Sequence, residues 1–320
     1  MKPIRPAYTE LHRHLDASLR PETLLKLLHH FEVETEFQTV QDIKQKFWIT
    51  QPMNSLKEVL DCFVLFQKVL RTCEVLEQIA FEAIEDAAQE GISQIELRYS
   101  PTFTGEYARS SWKECLDAFL LGMRKGCEAT GVRAGLICIV SRGYGMSAAE
   151  KTMDFALEHR ESFIGVDLAG IEDGFPCRNY AVPFRRAIDA GLPVTIHAGE
   201  AAGAENVWEA IDVLGAKRIG HGIRAIQDAE LIKRLARDQI LLETCPTSNV
   251  LTRSVESWDS HPLPRLLSAG VPVSVNTDDP GIFGVTLGEE FSRCKKYLGL
   301  SESDLRSIDG YAQRHSFLRK

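Results

Sequence analysis

Two hydrophobic patterns alternate along the chain. Short apolar stretches rich in β-branched residues alternate with longer stretches in which apolar residues recur at helical spacing. Most short stretches follow a helical pattern, so the repeated unit is helix, turn and strand. The predicted strands are residues 9–16, 92–101, 132–142, 163–170, 192–200, 216–222, 239–249 and 271–280.

The helical pattern is clearest over residues 73–90 and 112–130, and over 228–238, where Leu231 and Leu235 belong to one apolar stripe. Strands that alternate with helices pair in parallel, which fits a doubly wound sheet or a closed barrel. Eight repeats match the barrel in number, and no G-x-G-x-x-G motif follows an early strand. We therefore predict an α/β protein, a single (β/α)₈ barrel domain over residues 1–320 with a helical C-terminus.

The connection after the first strand, residues 17–91, is too long for one helix and two turns. It predicts a helical insertion with helices over 18–30 and 55–70, and a helical lid over about residues 31–72. One apolar stripe in it has helical spacing, which favours docking on the barrel over a hydrophobic wall for a planar ligand. The stripe consists of Leu56, Val59, Leu60 and Phe63.

The composition and charge of the chain limit the classes of partner that it can bind. Apolar residues make up 44% of the 320 residues and the net charge is −8, so a soluble globular protein is expected and a nucleic-acid partner is not. No apolar run approaches the roughly 18 residues of a membrane span, and the N-terminus lacks the apolar core of a signal peptide. The eight cysteines form no C-x-x-C pair, which indicates reduced core residues. We expect a cytoplasmic protein with no membrane partner.

Metal-binding residue types stand at the ends of several predicted strands. His12 and His14 alternate on one strand, so their side chains leave the same face about 6–7 Å apart. With His197 and Asp278 they form a set of nitrogen and carboxylate ligands suited to one catalytic Zn²⁺. Strand ends at one edge of a barrel are where active sites lie. Five other histidines have helical or loop contexts that look solvated: His29, His30, His159, His261 and His315.

Three further residues at the same edge suit proton transfer. His221, between Gly220 and Gly222, could take a proton from a metal-activated water, although a turn histidine is the alternative. Glu200 is a candidate general acid or, alternatively, a carboxylate at a helix N-terminus. Asp279 could orient the nucleophile or cap the turn before Pro280.

With these residues in view, the chain resembles the adenosine deaminase family of metal-dependent amidohydrolases over nearly its whole length. The resemblance lies in seven motifs in the family's order: residues 9–16 (TELHRHLD), 20–23 (RPET), 167–170 (DLAG), 197–200 (HAGE), 218–222 (RIGHG), 245–249 (CPTSN) and 276–280 (NTDDP). It implies one zinc ion held by His12, His14, His197 and Asp278. It also implies that His221 and Asp279 position and deprotonate the water that attacks C6 of a purine, while Glu200 donates a proton to N1.

The resemblance further implies a small-molecule purine nucleoside as the substrate. Gly170 would hydrogen-bond the purine through its backbone, and Asp16, beside the substrate-facing ligand His14, would contact the ribose. The stripe of Leu56, Val59, Leu60 and Phe63 would then line the pocket. The sequence departs from the family at Ala17, where Gly is usual, and at Ile171, where an acidic residue is common.

The expected reaction is hydrolytic deamination of adenosine and 2′-deoxyadenosine. Members that act on adenine or aminodeoxyfutalosine tend to have Glu in place of Asp16, which favours a nucleoside. A deaminase of N6-methyl-AMP stays open because Arg98 and Arg142 stand near strand ends, where a structural role is the alternative. A two-metal amidohydrolase would need a strand-end Lys that strand 4 lacks, and an inactive nucleoside-binding protein would not need the proton-transfer residues. The oligomeric state is not predicted.

Overall fold

Eight parallel strands form one sheet in sequence order. The computed structural model describes residues 7–53 and 56–318, and the side chains of residues 56–61 are outside that description. The strands are β1 Tyr8–His14, β2 Ile92–Tyr99, β3 Arg133–Ser141, β4 Gly165–Ala169, β5 Val194–Ala198, β6 Arg218–His221, β7 Leu241–Thr244 and β8 Val273–Val275.

The sheet closes where the last strand meets the first. The Asp278 amide donates to the His12 carbonyl at 3.0 Å, and the His14 amide donates to the Asp278 carbonyl at 2.9 Å. A side chain extends the seam, since the Leu11 amide donates to Asn276 Oδ1 at 3.1 Å. The predicted (β/α)₈ barrel is confirmed.

Helices connect the strands and cover the outside of the barrel. They are α1 Pro21–His30, α2 Val40–Asp42, α3 Leu56–Gln67, α4 Cys73–Gln89, α5 Pro101–Gly105, α6 Trp112–Thr130, α7 Met146–Glu158, α8 Ala181–Asp189, α9 Ala204–Asp212, α10 Ala229–Asp238, α11 Pro246–Leu251, α12 Leu263–Ser268, α13 Pro280–Phe283, α14 Leu287–Leu298 and α15 Glu302–His315. Helix α6 covers the span that the sequence predicts, with Ser111 capping its start and Gly131, in the left-handed region, ending it. No helix within the described ranges is both long and apolar enough to cross a bilayer.

The seventh predicted strand, residues 239–249, is wrong in its second half. Strand β7 ends at Thr244, and helix α11 begins at Pro246. Proline fits the first position of a helix because its missing N–H has no partner there and its φ is already helical. A buried helix of one to two turns has the same apolar composition as a buried strand, so the apolar run did not separate them.

The insertion after β1 lies against loops at the carboxyl ends of the strands. The Ile49 amide donates to the Ile282 carbonyl at 2.9 Å, and the Met53 amide donates to the Leu251 carbonyl at 2.8 Å. These bonds join the insertion to the segments that follow β7 and β8, on the side of the barrel where the polar residues gather.

The opposite end of the barrel is closed by the C-terminal segment. Helix α15 contributes Ala312 to a small apolar cluster with Leu11 and Leu241. Beyond it, Ser316 Oγ and the Phe317 amide donate to the buried Glu96 at 2.6 and 2.5 Å. Within the described residues, the C-terminal segment therefore covers the end of the barrel opposite to the polar residues.

Candidate metal centre and active site

The four predicted metal ligands lie together at the carboxyl ends of β1, β5 and β8. One ligand atom from each of His12, His14, His197 and Asp278 lies within 4.8 Å of the others. His12, His197 and Asp278 are buried, and the side chain of His14, which lines the adjoining cavities, is 12% exposed. Three nitrogens and one carboxylate oxygen at this spacing form a donor set that suits Zn²⁺.

Carboxylates behind two of the histidines fix which ring nitrogen faces the centre. His12 Nδ1 lies 2.8 Å from Glu243 Oε2, and His197 Nδ1 lies 3.0 Å from Asp167 Oδ2. Since a carboxylate accepts, each Nδ1 carries the proton and each Nε2 presents its lone pair to the centre. His12 Nε2 is buried, lies 3.2 Å from Asp278 Oδ1 and makes no hydrogen bond. A cation shared by these two atoms would satisfy both, so the residues fit a zinc ion.

A fully buried arginine joins the two carboxylates. Arg98 donates to Asp167 Oδ2 at 2.7 Å and to Glu243 Oε2 at 2.8 Å. Burial raises the pKa of Glu243, but the charges of Arg98 and Arg218 outweigh it and hold that pKa well below its usual range. Glu243 is therefore an anion that can orient His12. Arg98 is committed to this framework and is not free to bind a ligand.

The protonation states of the ligands suit metal binding. Burial lowers the pKa of His14 well below its ordinary value and lowers that of His197 to about 4. Burial would raise the pKa of Asp278, but the neighbouring histidines keep it well below the usual range. At neutral pH the rings of His14 and His197 are therefore neutral and Asp278 is a carboxylate. Burial and Arg98 lower the pKa of His12, but its contacts with Asp278 and Glu243 outweigh them and raise it, so a metal ion would take the place of a proton on that ring.

The backbone of Asp278 adopts the left-handed conformation, with φ of 64°. This conformation is unfavourable for a non-glycine residue and is held here by the hydrogen bonds of the barrel seam. Ser248 Oγ donates to Asp278 Oδ2 at 2.7 Å, which leaves Oδ1 beside His12 and His14.

Another cluster, of His221, Cys245 and Asp278, also has ligand-like spacing. It shares Asp278 with the first. Burial raises the pKa of the Cys245 thiol well above its usual range, so the thiolate that a metal requires is disfavoured. The histidine and aspartate group is the better metal centre.

The three predicted proton-transfer residues line the same small cavity of about 90 Å³ beside the ligands. His221 Nε2 lies 3.5 Å from Glu200 Oε2 and 3.9 Å from Asp278 Oδ2. Burial raises the pKa of Glu200, and burial together with the Asp278 charge raises that of Asp279 well above its usual range. The cavity therefore brings together an imidazole and two carboxyl groups whose raised pKa values favour their protonated forms.

A buried carboxylate holds the turn that carries Glu200. Glu172 accepts hydrogen bonds from four successive backbone amides and from the side chain of Asn206. The donors are Gly199 at 2.6 Å, Glu200 at 3.1 Å, Ala201 at 2.7 Å, Ala202 at 2.9 Å and Asn206 Nδ2 at 3.0 Å. Sequence reasoning did not predict this role of Glu172.

A second chamber of about 360 Å³ adjoins the first and shares four lining residues with it: His14, Phe63, Ala169 and Gly170. Asp16 lines this chamber. Its Oδ2 accepts from the Ser100 amide at 3.2 Å, whereas Oδ1 is buried without a partner, and burial raises its pKa to about 7. A ligand that spans the two cavities would meet the metal centre at one end and Asp16 at the other.

Arg142 is the cationic residue in the described lining of the larger chamber. Both of its terminal nitrogens are used, whereas Nε is buried without a hydrogen-bond partner. Arg142 is buried and donates to the Leu168 carbonyl at 3.3 Å, the His197 carbonyl at 2.9 Å and Cys177 Sγ at 3.3 Å. Of the stripe predicted to wall the pocket, Phe63 lines both cavities. The side chains of Leu56, Val59 and Leu60 lie outside the described residues.

One expectation about the histidines is wrong. His29 and His30 are exposed, and His159 and His315 are half-buried, but His261 is buried. Its Nε2 lies 3.4 Å from Asn249 Oδ1, and Asn249 lies behind His221. The sequence places His261 in a loop before Pro262, with nothing nearby to indicate that this loop packs inside.

Sequence reasoning also missed part of the hydrogen-bond network behind the proposed ligands. Glu243 interrupts an otherwise apolar strand, and this was the available signal, because a charge inside a barrel strand needs a buried partner. Asp167 interrupts the apolar strand β4 in the same way, but its partners Arg98 and His197 come from strands that are distant in sequence.

Comparisons with known proteins agree with this geometry. Residues 7–320 match the family model described as adenosine deaminase. The adenosine deaminase of Escherichia coli strain SE11 is 40% identical over 310 residues, which cover 97% of this chain and 93% of that protein. The crystal structure of an adenine deaminase from Arthrobacter aurescens superposes with a TM-score of 0.91 at 30% identity, covering 98% of this chain and 94% of the other. The N6-mAMP deaminase of Arabidopsis gives a TM-score of 0.86 at 28% identity, with 100% and 96% coverage.

Proposed function

Because the chain belongs to the adenosine deaminase family, we propose that it deaminates adenosine and 2′-deoxyadenosine to inosine and 2′-deoxyinosine with one zinc ion per chain. The family's shared reaction is hydrolytic removal of the 6-amino group of a purine. One observation carries the proposal for this chain: a set of three histidines and an aspartate faces Glu200, His221 and Asp279 across one small cavity.

His12, His14, His197 and Asp278 would hold the zinc ion. The chemistry that such an ion supplies is activation of water as a nucleophile at neutral pH. Glu243 and Asp167 orient His12 and His197 from behind, so the two rings are in place before the ion binds.

Glu200 would give its proton to N1 of the purine as the water oxygen adds to C6. Its raised pKa, caused by burial, keeps a proton available near neutral pH. Addition at C6 removes the aromaticity of that ring, and protonation at N1 lets the ring accept the electron pair. The C6–N6 bond then breaks, and ammonia leaves.

His221 and Asp279 would position the water and remove its proton. Both line the cavity, and Asp279 Oδ1 is buried without a hydrogen-bond partner. A free acceptor and an imidazole lining the same cavity suit a water molecule that must lose one proton. The same groups can later deliver a proton to the departing ammonia.

The adjoining chamber supports a nucleoside rather than a free base. Gly170 lines both cavities, so its backbone is placed to hydrogen-bond the purine where the two meet. Asp16 Oδ1 is a buried acceptor without a donor, and a ribose hydroxyl would supply one. A free base would leave both this oxygen and the larger chamber unused.

The same chamber disfavours a nucleotide. A phosphate group is bound most strongly by free Arg or Lys side chains or by backbone amides at a helix start. Arg142 is committed to two carbonyls and a thiol, and the carboxylate of Asp16 would repel a phosphate. N6-methyl-AMP is therefore a poorer fit than adenosine.

Phe63 contributes an apolar surface that lines both cavities. Together with Leu56, Val59 and Leu60 of the same helix, it would form the wall against which the planar base packs. An aromatic and aliphatic wall suits a purine because burial of its faces contributes affinity without demanding a specific polar partner.

An ammonia-release panel tests the substrate assignment. The zinc-loaded protein is assayed with adenosine, 2′-deoxyadenosine, adenine, AMP, N6-methyl-AMP and aminodeoxyfutalosine. The two nucleosides are expected to have the highest kcat/KM, and removal of zinc by a chelator is expected to abolish turnover. A higher kcat/KM for adenine, for either nucleotide or for aminodeoxyfutalosine would overturn the assignment while leaving the family reaction intact.

Asp16→Asn provides a matched test of the ribose contact. The change keeps the shape of the side chain but removes its charge, so kcat/KM for adenosine should fall by on the order of 10-fold while the value for adenine changes little. An equal effect on both substrates would contradict a ribose contact.

A further inference from the structure

A buried pair of polar side chains, Asn249 and His261, lies on the far side of His221 from the cavity. Asn249 Nδ2 lies 3.0 Å from His221 Nδ1, and Asn249 Oδ1 lies 3.4 Å from His261 Nε2. Asn249 is fully buried, and His261 is 4% exposed. His221 itself is buried, and its other nitrogen, Nε2, faces Glu200.

His221, Asn249 and His261 form a row, and the positions of its hydrogen atoms can be derived from one backbone hydrogen bond. The Leu263 amide donates to His261 Nδ1 at 3.2 Å, so that nitrogen carries no proton. A neutral imidazole must then be protonated at Nε2, which donates to Asn249 Oδ1. Burial lowers the pKa of His261 to about 4, so the ring is neutral at physiological pH.

The orientation of the Asn249 amide follows. If the amide were flipped, its NH₂ group would point at His261 Nε2, and that ring would have two acceptors and no proton. With Oδ1 toward His261, the NH₂ group faces His221 and donates to Nδ1. The neutral His221 ring is therefore protonated at Nε2.

We infer that Asn249 and His261 are positioning residues that fix the orientation and the tautomer of His221 by a directed row of hydrogen bonds. The row begins at the Leu263 amide and ends at His221 Nε2–H, which is aimed into the cavity. His221 thus enters the reaction as a hydrogen-bond donor that orients the attacking oxygen.

This arrangement also accounts for the burial of His261. An imidazole can accept a hydrogen bond at one nitrogen and donate one at the other. The backbone donor therefore fixes the tautomer of His261, and His261 in turn fixes the orientation of the Asn249 amide. A hydrophobic residue of similar size would fill the space but would leave the Asn249 amide free to turn over. The backbone of His221 has a positive φ of 58°, so this ring is placed by an unfavourable conformation and benefits from a fixed partner.

The primary test reads the tautomers directly. Zinc-loaded protein labelled with ¹⁵N at histidine is examined by long-range ¹H–¹⁵N correlation without substrate, and the His221 and His261 signals are assigned by their loss in His221→Asn and His261→Gln. Both rings are expected to be protonated at Nε2 and unprotonated at Nδ1. A neutral His221 protonated at Nδ1 would overturn the inference, whatever the substrate is.

Asn249→Asp supplies the matched change. The carboxylate is nearly isosteric but cannot donate, so His221 should move its proton to Nδ1, and kcat should fall by on the order of 100-fold with KM changed much less. The exposed Asn179→Asp is the control and should leave both the spectrum and kcat unchanged. A His221 spectrum and a kcat that are both unchanged in Asn249→Asp would contradict the inference.

His261 is tested by a pair of variants. Gln can keep one donor and one acceptor, so His261→Gln should retain most of kcat, whereas His261→Leu should lose on the order of 10-fold and show a mixture of His221 tautomers. Equal kcat in the two variants, with zinc content and thermal midpoint like the parent, would contradict a directing role. The kinetic arm rests on the proposed function and uses whichever 6-aminopurine the panel identifies, while the spectroscopic arm needs no substrate.

Discussion

At the scale of single residues, the metal centre depends on charges that never touch the metal position. Asp167 and Glu243 each accept from the outer nitrogen of a histidine in the proposed ligand set, and Arg98 donates to both carboxylates. These residues decide which ring nitrogen is free, so the ligands alone do not define the centre.

Asp167→Asn should weaken zinc binding by on the order of 10- to 100-fold, because the neutral amide orients His197 less firmly and raises its basicity less. The same change leaves the buried Arg98 with one fewer anionic partner, so a lower thermal midpoint is also expected. Zinc affinity is measured by competition with a chromophoric chelator. The exposed Asp189→Asn serves as the control, and equal affinities in the two variants would argue against the orienting role.

Glu200→Gln should lower kcat by about 10²- to 10⁴-fold, because the amide has the shape of the carboxylic acid but no proton to give to N1. Substrate binding should change far less, since the hydrogen bond to N1 can be kept by the amide. Steady-state kinetics and zinc content are measured in parallel with the exposed Glu205→Gln. A higher KM with an unchanged kcat would indicate that Glu200 acts in substrate binding instead.

The grouping of the proposed ligands and proton-transfer residues could be predicted from the sequence because each stands in a short motif at a strand end. Their supporting partners could not. The Asn249 to His261 contact joins helix α11 to a loop that reads as solvated, and the sequence carries no pattern that distinguishes a buried loop histidine from an exposed one. Periodicity describes elements, and these contacts lie between them.

At the scale of elements, the turn after β5 is built as a rigid support for Glu200. Its four successive amides converge on Glu172, which comes from the turn after β4. One carboxylate thus ties together the turn that carries Glu200 and the turn that carries Gly170. The element boundaries at these strand ends were predicted to within a few residues, whereas the bond network between the turns was not.

Glu172→Gln should loosen this turn. Gln replaces an acceptor oxygen with an NH₂ group that faces N–H donors, so at least one amide loses its partner at a cost of about 1.5–3 kcal/mol. Hydrogen exchange at residues 199–202 is expected to quicken by on the order of 10- to 100-fold, with a smaller loss in kcat. The exposed Asp173→Asn is the control, and unchanged exchange in Glu172→Gln would show that the turn is held by other contacts.

At the scale of the whole molecule, the family assignment drawn from seven motifs is confirmed by the match over residues 7–320, and the barrel is confirmed by the order of its strands. A barrel could be predicted because helix and strand periods differ and repeat eight times. The closure at the seam could not, since it depends on backbone bonds between the first and last strands.

The free energy of unfolding should fall as the pH rises from mildly acidic to mildly alkaline values, because of the titration of Glu290. This side chain is fully buried in helix α14, and burial raises its pKa from 4.5 to about 8, against smaller opposing effects of Thr247 and Arg293. Between these two pKa values the folded protein binds one proton more than the unfolded chain, so the contribution is full below about pH 4.5 and is lost as the pH rises through 8.

Glu290→Gln removes this titration. Its free energy of unfolding relative to the parent should therefore rise by on the order of 2 kcal/mol between pH 5 and pH 8. Urea unfolding at both pH values measures the difference, with the exposed Glu158→Gln as control. A difference that does not depend on pH would show that Glu290 is ionised in the folded state at both values.

The seam of the barrel has a consequence for how the protein is made. His12 and His14 leave the ribosome long before Asp278, whose backbone joins the last strand to the first. A nascent chain therefore carries an incomplete set of ligands for most of its synthesis. Capture of a metal ion by all four proposed ligands would therefore follow translation of the last strand, and a bound ion would report that the barrel has closed.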